Sequence, residues 1–284
     1  MGINILFIYP NTFGMNMIPQ AMALFSSILK KEGHKVEIFD STYYAVDYGI
    51  DSDGSQMDKL AVVPFNMEDR GIRVKDTSWK DDLKKQVERF KPNLIALSTT
   101  EDMWELGVKF LHEIKNYKIK NKIPVIAGGV FPTFAPEIVS KEELVDLVCV
   151  GEGENALVDL CKKIQNNQDY SSVTNLWFKK NGKIIKKNPI SKPVDINKNP
   201  IIDIGLFERN RLYRPMGGKI YKMFPVETNR GCPYTCRFCN SPDQMALYKR
   251  ESTGGYFRKK NIDLVSKELK HFKEDLGVEY NYFW

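Results

Sequence analysis

Over residues 1–165, short apolar runs alternate with segments whose apolar positions recur every three or four residues. That is the pattern of βα units in an α/β domain built on a mostly parallel sheet. The run "INILFIY" at 3–9 predicts the first strand. Pro19 then stands where a helix can begin, Ala21, Leu24, Phe25, Ile28 and Leu29 form one apolar face, and Gly33 supplies a stop. A second strand covers 36–39. From 40 to 77 the periodicity fades and Asp, Gly, Ser and Tyr are frequent, which predicts an irregular insertion over one end of the sheet, of the kind that often covers a ligand. Ser78 followed by Asp81 reads as a helix cap, Trp79, Leu83, Val87 and Phe90 repeat at helical spacing, and Pro92 ends the run. "NLIALS", "PVIAGG" and "LVCVG" are three further strands. One helix between them carries Leu106, Phe110, Ile114 and Tyr117 on a face, a short helix follows "PVIAGG", and a last helix turns Ala156, Leu157, Leu160, Cys161 and Ile164 inward. Right-handed crossovers place the loops after all five strands on one edge, where open α/β sheets bind ligands.

The pattern changes at 166–220. "NLWFKKNGKIIKKN" reads as two strands around Asn181-Gly182, a type I′ hairpin signal, followed by a connector rich in Pro and Asn. This stretch is expected to be a hairpin linker. From 221 to 284 the order is a strand, "KMFPVETN", a cysteine-rich loop, a helix with Ile262, Val265, Leu269 and Phe272 inward, and a final strand, "VEYNYFW". That is the opening βαβ of a second domain, with too few elements to close a sheet or barrel. A fragment of a longer chain, or a chain that borrows a partner, is therefore expected.

Composition sharpens this picture. The 284 residues are 42% hydrophobic and 12% aromatic, enough for well-packed cores. No apolar run reaches the roughly 18–20 residues that span a bilayer, and the first strand lacks the flanks of a signal peptide, so a cytoplasmic protein is expected. Net charge is +6, with lysines concentrated at 179–192. Arginines and interleaved aromatics are scarce there, so a solvated hairpin surface is expected rather than a nucleic-acid site.

Three of the five cysteines, Cys232, Cys236 and Cys239, fall in "RGCPYTCRFCN" with the spacing CxxxCxxC. A loop between strand and helix can bring such sulfurs together. A cubane iron–sulfur cluster takes four ligands, one per iron. Cys149 lies in an apolar strand and Cys161 on an apolar helix face, the common setting of buried structural thiols, so one iron would be left open for a ligand. Zinc needs a fourth ligand, and His271, the nearest histidine, sits on a lysine-rich helix face; a redox dithiol at Cys236 and Cys239 would belong to a fold this region does not match. Both stand as alternatives.

"RGCPYTCRFC" resembles the signature of radical S-adenosylmethionine (SAM) enzymes, including the aromatic Phe238 before the last cysteine. "GGVFPTFAPE" and "VCVGEGE" look like motifs of the cobalamin-binding domain that precedes the radical SAM domain in one large subgroup. The resemblance implies a Rossmann-like five-stranded cobalamin domain over 1–165 and, over 221–284, the first βαβ of a TIM-like partial barrel. It implies a 4Fe-4S cluster on the three cysteines, SAM on the open iron beside Phe238, and reductive SAM cleavage to a 5′-deoxyadenosyl radical. Cobalamin contacts are implied for Asn11, Thr12, Ser98, Thr99, Thr100, Gly128, Gly129, Val130, Phe131, Gly151, Glu152, Gly153 and Glu154. The expected reaction is methyl transfer to an unactivated carbon of a small-molecule substrate, with an electron donor such as flavodoxin or ferredoxin. An oxidative cyclase or ring-rearranging enzyme of the same architecture, and a noncatalytic cobalamin or iron–sulfur module, are the alternatives. Two departures stand out: the DxHxxG histidine for cobalt is absent after the first strand, and the family's "GGPH" is here Gly128-Gly129-Val130-Phe131.

Overall fold

The structure, a computed structural model, describes residues 2–14, 17–46, 59–180, 182–250 and 255–283. Five parallel strands form its centre: β1 (Asn4–Tyr9), β2 (Lys35–Asp40), β3 (Leu94–Ser98), β4 (Val125–Gly128) and β5 (Leu147–Cys149). Their order is β2-β1-β3-β4-β5. Side chains alternate across a strand, and here each set meets a different helical layer. Ile5 and Phe7 of β1, Leu94 and Ala96 of β3, Ile126 of β4 and Leu147 and Cys149 of β5 pack with α1 (Gln20–Lys31) and α7 (Glu154–Gln165). Leu6, Ile8, Ile95, Leu97, Val125, Ala127 and Val148 pack with α2 (Trp79–Phe90) and α3 (Trp104–Glu113). The short α4 (Lys115–Asn121), α5 (Val130–Phe134) and α6 (Pro136–Val139) complete this layer arrangement. Local signals act as expected at α2, where the Ser78 hydroxyl accepts the Asp81 N–H and Lys91 ends the helix in a left-handed conformation before Pro92.

The hairpin does not stand apart as a linker. Strand β6 (Leu176–Lys180) adds antiparallel to β5, and β7 (Lys183–Lys187) forms the outer edge, giving one seven-stranded sheet. Lysines on an edge strand oppose edge-to-edge pairing, which accounts for the local charge. Gly182 takes φ +75°, as the turn requires; Asn181 lies outside the described residues.

The connector at 188–212 wraps α1. Asp203 accepts from Ser26 Oγ at 2.6 Å and its N–H donates to Ala23 O at 3.0 Å. Arg211, fully buried, reaches Asp40 Oδ2 at 2.8 Å and Met17 O at 3.0 Å. The second unit follows: β8 (Tyr213–Met216) and β9 (Lys219–Val226) form a hairpin, and β12 (Tyr280–Phe283) pairs parallel to β9 after α9 (Ile262–Glu274). Phe224, Val226, Phe272 and Val278 join the same core cluster as α1 and α7, so the two units share packing. Ile262, expected inward, is 83% exposed at the start of α9. The insertion at 40–77 packs Tyr43, Met67 and Ile72 against Ile220 of β9. Its described residues brace the second unit and do not cover the sheet's ligand edge.

Candidate functional site

The order β2-β1-β3-β4-β5 reverses direction between β1 and β3, and a crevice opens at the C-terminal ends of strands on either side of such a switch. Here the crevice is a cavity of about 720 Å³. Its rim carries Asn11, the loop 98–100, and the backbone of Gly128 and Gly129. It extends down the α1 face of the sheet to Phe7, Ala96, Ile126, Cys149 and Leu157, and the second unit closes it with Val226, Arg230, Tyr248, Tyr256 and Phe272.

Eleven of the expected cobalamin residues line this space: Asn11, Ser98, Thr99, Thr100, Gly128, Gly129, Val130, Gly151, Glu152, Gly153 and Glu154. Thr12 and Phe131 do not; Thr12 is buried, and Phe131 packs on Trp104 with ring centroids 5.6 Å apart. The Asn11 amide donates to Thr42 Oγ1 at 2.7 Å, anchoring the loop after β1 to the end of β2. The two glycines after β4 have different reasons to be glycine. Gly129 has φ +111° and ψ −167°, and a Cβ there would sit 2.6 Å from Thr99 O. A Cβ on Gly128 would meet only Cys149 Cβ, at 3.5 Å, so its bareness leaves the cavity open. Thr133 stitches the floor, donating to Gly129 O at 2.8 Å and accepting the Gly151 N–H at 3.2 Å.

The "GEGE" segment faces the second unit. Arg230, the last residue of β10 (Asn229–Arg230), contacts Glu154, Glu152 Oε1 at 3.3 Å and Glu227 Oε1 at 2.8 Å. Its antiparallel partner Arg258, in β11 (Arg258–Lys259), reaches Glu152 Oε2 at 3.0 Å. Val194 N–H also donates to Glu152 Oε2, at 2.8 Å, and Tyr248 Oη accepts the Glu152 N–H at 2.7 Å. Burial acts first to raise the Glu152 carboxyl, but the Arg258 hydrogen bond and the charges of Arg230 and Arg258 prevail and hold it below the usual range. Deeper in the same wall, Lys260 binds both oxygens of Glu268 at 2.7 and 2.9 Å; burial nonetheless raises Glu268. Tyr248 and Tyr256 stack with centroids 4.8 Å apart.

The cysteine loop is an excursion closed by the β10–β11 ribbon. Gly231 has φ +84°, and a Cβ there would lie 2.8 Å from Tyr256 O, so ribbon and loop mouth are drawn together. Cys232 is half-buried, Cys236 and Cys239 are exposed, and all three are free thiols. Cys239 N–H bonds Cys236 O at 3.2 Å and Cys239 Sγ accepts the Ser241 N–H at 3.4 Å. The donor chemistry suits an iron–sulfur cluster. The arrangement expected from the spacing is not drawn up, however: among the described residues, no three His, Cys, Asp or Glu side chains are gathered as a metal site. Phe238 is 95% exposed and lines no part of the cavity. Cys149 and Cys161 are buried, and burial pushes both thiols up to about 12.

Sequence reasoning missed helix α8 (Ser241–Arg250), which brings Gln244 and Tyr248 to the cavity, because Tyr248 is its single fully buried side chain and no apolar stripe announces it. Pro242 and Asp243 in its first turn were the available signal. Arg258, Lys260 and Glu268 carried no signal in sequence.

For cobalamin, a flat macrocycle fringed with amides, the residues fit: hydroxyls and bare backbone at the rim, apolar side chains in depth, and room left by Gly128. Comparison with known proteins agrees. Residues 60–161 match the family model described as B12 binding domain. An uncharacterized methyltransferase of Pyrococcus horikoshii is 25% identical over 217 residues, 75% of this chain and 44% of the relative. An anaerobic magnesium-protoporphyrin IX monomethyl ester cyclase of Synechocystis is 27% identical over 129 residues, 43% of this chain and 24% of the relative. The chain thus spans less than half the length of these curated relatives. Among solved structures, the radical SAM methyltransferase TsrM from Kitasatospora setae, with cobalamin and a 4Fe-4S cluster bound, superposes with TM-score 0.64 at 18% identity, over 100% of this chain and 47% of that one.

Proposed function

We propose that this chain, a cobalamin-binding-domain-containing radical SAM protein, holds cobalamin in the cavity at the switch point and a SAM-binding 4Fe-4S cluster on Cys232, Cys236 and Cys239, in the service of methyl transfer to an unactivated carbon. The observation that carries this reading is the shared cavity: the rim of the first unit and the wall beside the cysteine loop enclose one space. The two cofactors would supply the electron for reductive SAM cleavage and a carrier for the methyl group. The chain's own residues do the positioning. The loop 98–100 and the bare backbone at Gly128 and Gly129 offer close polar contact at the rim, and Phe7, Ala96, Ile126 and Leu157 keep water from the depth. Three accessible thiols on a loop tied down at its mouth suit capture of a cluster. An electron donor such as flavodoxin or ferredoxin would meet that exposed loop, and a small molecule is the substrate class.

Equilibrium dialysis against methylcobalamin in the dark tests the reading. The protein should bind one equivalent, and Gly128→Phe, which projects a ring into open space, should abolish binding while leaving the fold intact. No binding by the parent protein, or binding indifferent to Gly128→Phe, rules the assignment out. A ring-forming reaction is the second reading, favoured by the match to a cyclase. Transfer of label from methyl-labelled SAM to product separates it from methylation.

A further inference from the structure

Arg230 has a place that neither its spacing nor its chemistry as a surface residue explains. It is two residues before Cys232, at the mouth of the loop, and its guanidinium takes part in the cavity wall. There it meets three carboxylates from two units: Glu227 of its own unit, and Glu152 and Glu154 at the start of α7. The side chains are 18% exposed for Arg230, 10% for Glu152 and 6% for Glu154, so solvent screens these pairs little. Arg258, directly opposite in the ribbon, holds Glu152 as well, so both strands at the loop mouth are pinned to one carboxylate. A guanidinium spreads five N–H donors over a rigid plane and so reaches carboxylates on different sides, whereas a lysine ammonium gathers its three donors at one point. Between Arg230 and the first cysteine there is one residue, Gly231, whose backbone is already tight against Tyr256 O.

We propose that Arg230 is the positioning residue of the cysteine loop: through Glu152 and Glu154 it couples filling of the cobalamin cavity to the geometry of the thiols. This rests on the reading of the cavity given above. Glu152, Glu154, Glu227 and Arg230 all line the cavity, so a ligand there displaces water from beside them. Lower local polarity strengthens the ion pairs and tightens the loop mouth.

The test uses the full chain without cluster. Binding of methylcobalamin is measured by dialysis, and iodoacetamide alkylation rates at Cys232, Cys236 and Cys239 are measured by mass spectrometry with and without saturating methylcobalamin. In the parent protein, methylcobalamin should slow alkylation by about fivefold or more, the lower end of ordinary site-to-site coupling. In Arg230→Lys and in Glu154→Gln, each compared at the methylcobalamin concentration that dialysis shows to saturate that variant, the ratio should fall to near one; Glu154→Gln leaves Arg230 with two carboxylates and guards against failure of the first variant to fold. Methylcobalamin that binds without changing alkylation, or variants that lower the melting temperature yet keep the full ratio, overturn the proposal and make Arg230 a purely structural anchor. Absence of binding in the parent protein overturns the cavity assignment itself, and the coupling with it.

Discussion

Gly129→Ala should destabilise the protein by an amount that can be worked from the backbone. At φ +111° and ψ −167° the residue occupies a region open essentially to glycine, and an L side chain there costs about 1–3 kcal/mol. The added methyl would lie 2.6 Å from Thr99 O and 3.2 Å from Thr99 N, both backbone atoms that cannot rotate away. Relieving such overpacking costs a further ~1–3 kcal/mol. It also pulls on the Thr99 N–H to Gly128 O bond of 3.1 Å that aligns the ends of β3 and β4. The expected loss is therefore about 2–6 kcal/mol, read as a lower urea midpoint. Gly128→Ala is the internal control, because its methyl meets Cys149 Cβ at 3.5 Å, ordinary contact. It should shift stability by less than about 1 kcal/mol. Equal midpoints for the two variants would refute the assignment of backbone packing to one glycine and open space to the other.

Arg211→Met should cost about 3–5 kcal/mol in urea unfolding, since it leaves the nearly buried Asp40 without its cation; a change under about 1 kcal/mol would contradict a structural role for that pair. His34 is buried and accepts the Ile3 N–H through Nδ1, and burial lowers its pKa below the ordinary 6.5. The unfolded chain therefore takes up a proton more readily, so His34 contributes stability above pH 6.5 that is lost as pH falls through the lowered folded value. The decline in urea midpoint from pH 7 to 5 should be shallower in His34→Asn. Alkylation of the native protein at pH 8 should modify the three loop cysteines and spare Cys149 and Cys161, whose thiols burial pushes up to about 12, until urea unfolds the chain.

Elements with a strong local period were legible in the sequence. The apolar run of β1, the capped α2 and the Asn-Gly turn each carry their signal within a dozen residues. What the turn signal could not say is which sheet the hairpin joins. That is decided by the free edge of β5 and by Lys179, whose stem is buried and whose amine donates to Ser140 O at 3.3 Å, a tertiary contact behind a residue that reads as surface. The site divides in the same way. Glycines and hydroxyls at strand ends could be placed from topology alone, whereas the wall made by Arg230 and Arg258 depends on ion pairs between residues far apart in the chain, such as the 76 positions from Glu154 to Arg230. Glu152 and Glu154 were read as cofactor contacts; they line the cavity, but their carboxylates are turned to arginines. Phe238 and the three thiols share one loop, between β10 and α8.

The central claim is an open iron on the cysteine loop in a protein that also holds cobalamin. Electron paramagnetic resonance of the anaerobically reconstituted, reduced protein, recorded before and after addition of SAM, addresses it directly. A cubane signal that shifts with SAM is the predicted result. Failure to assemble a cluster, or a signal that SAM leaves unchanged, would contradict it.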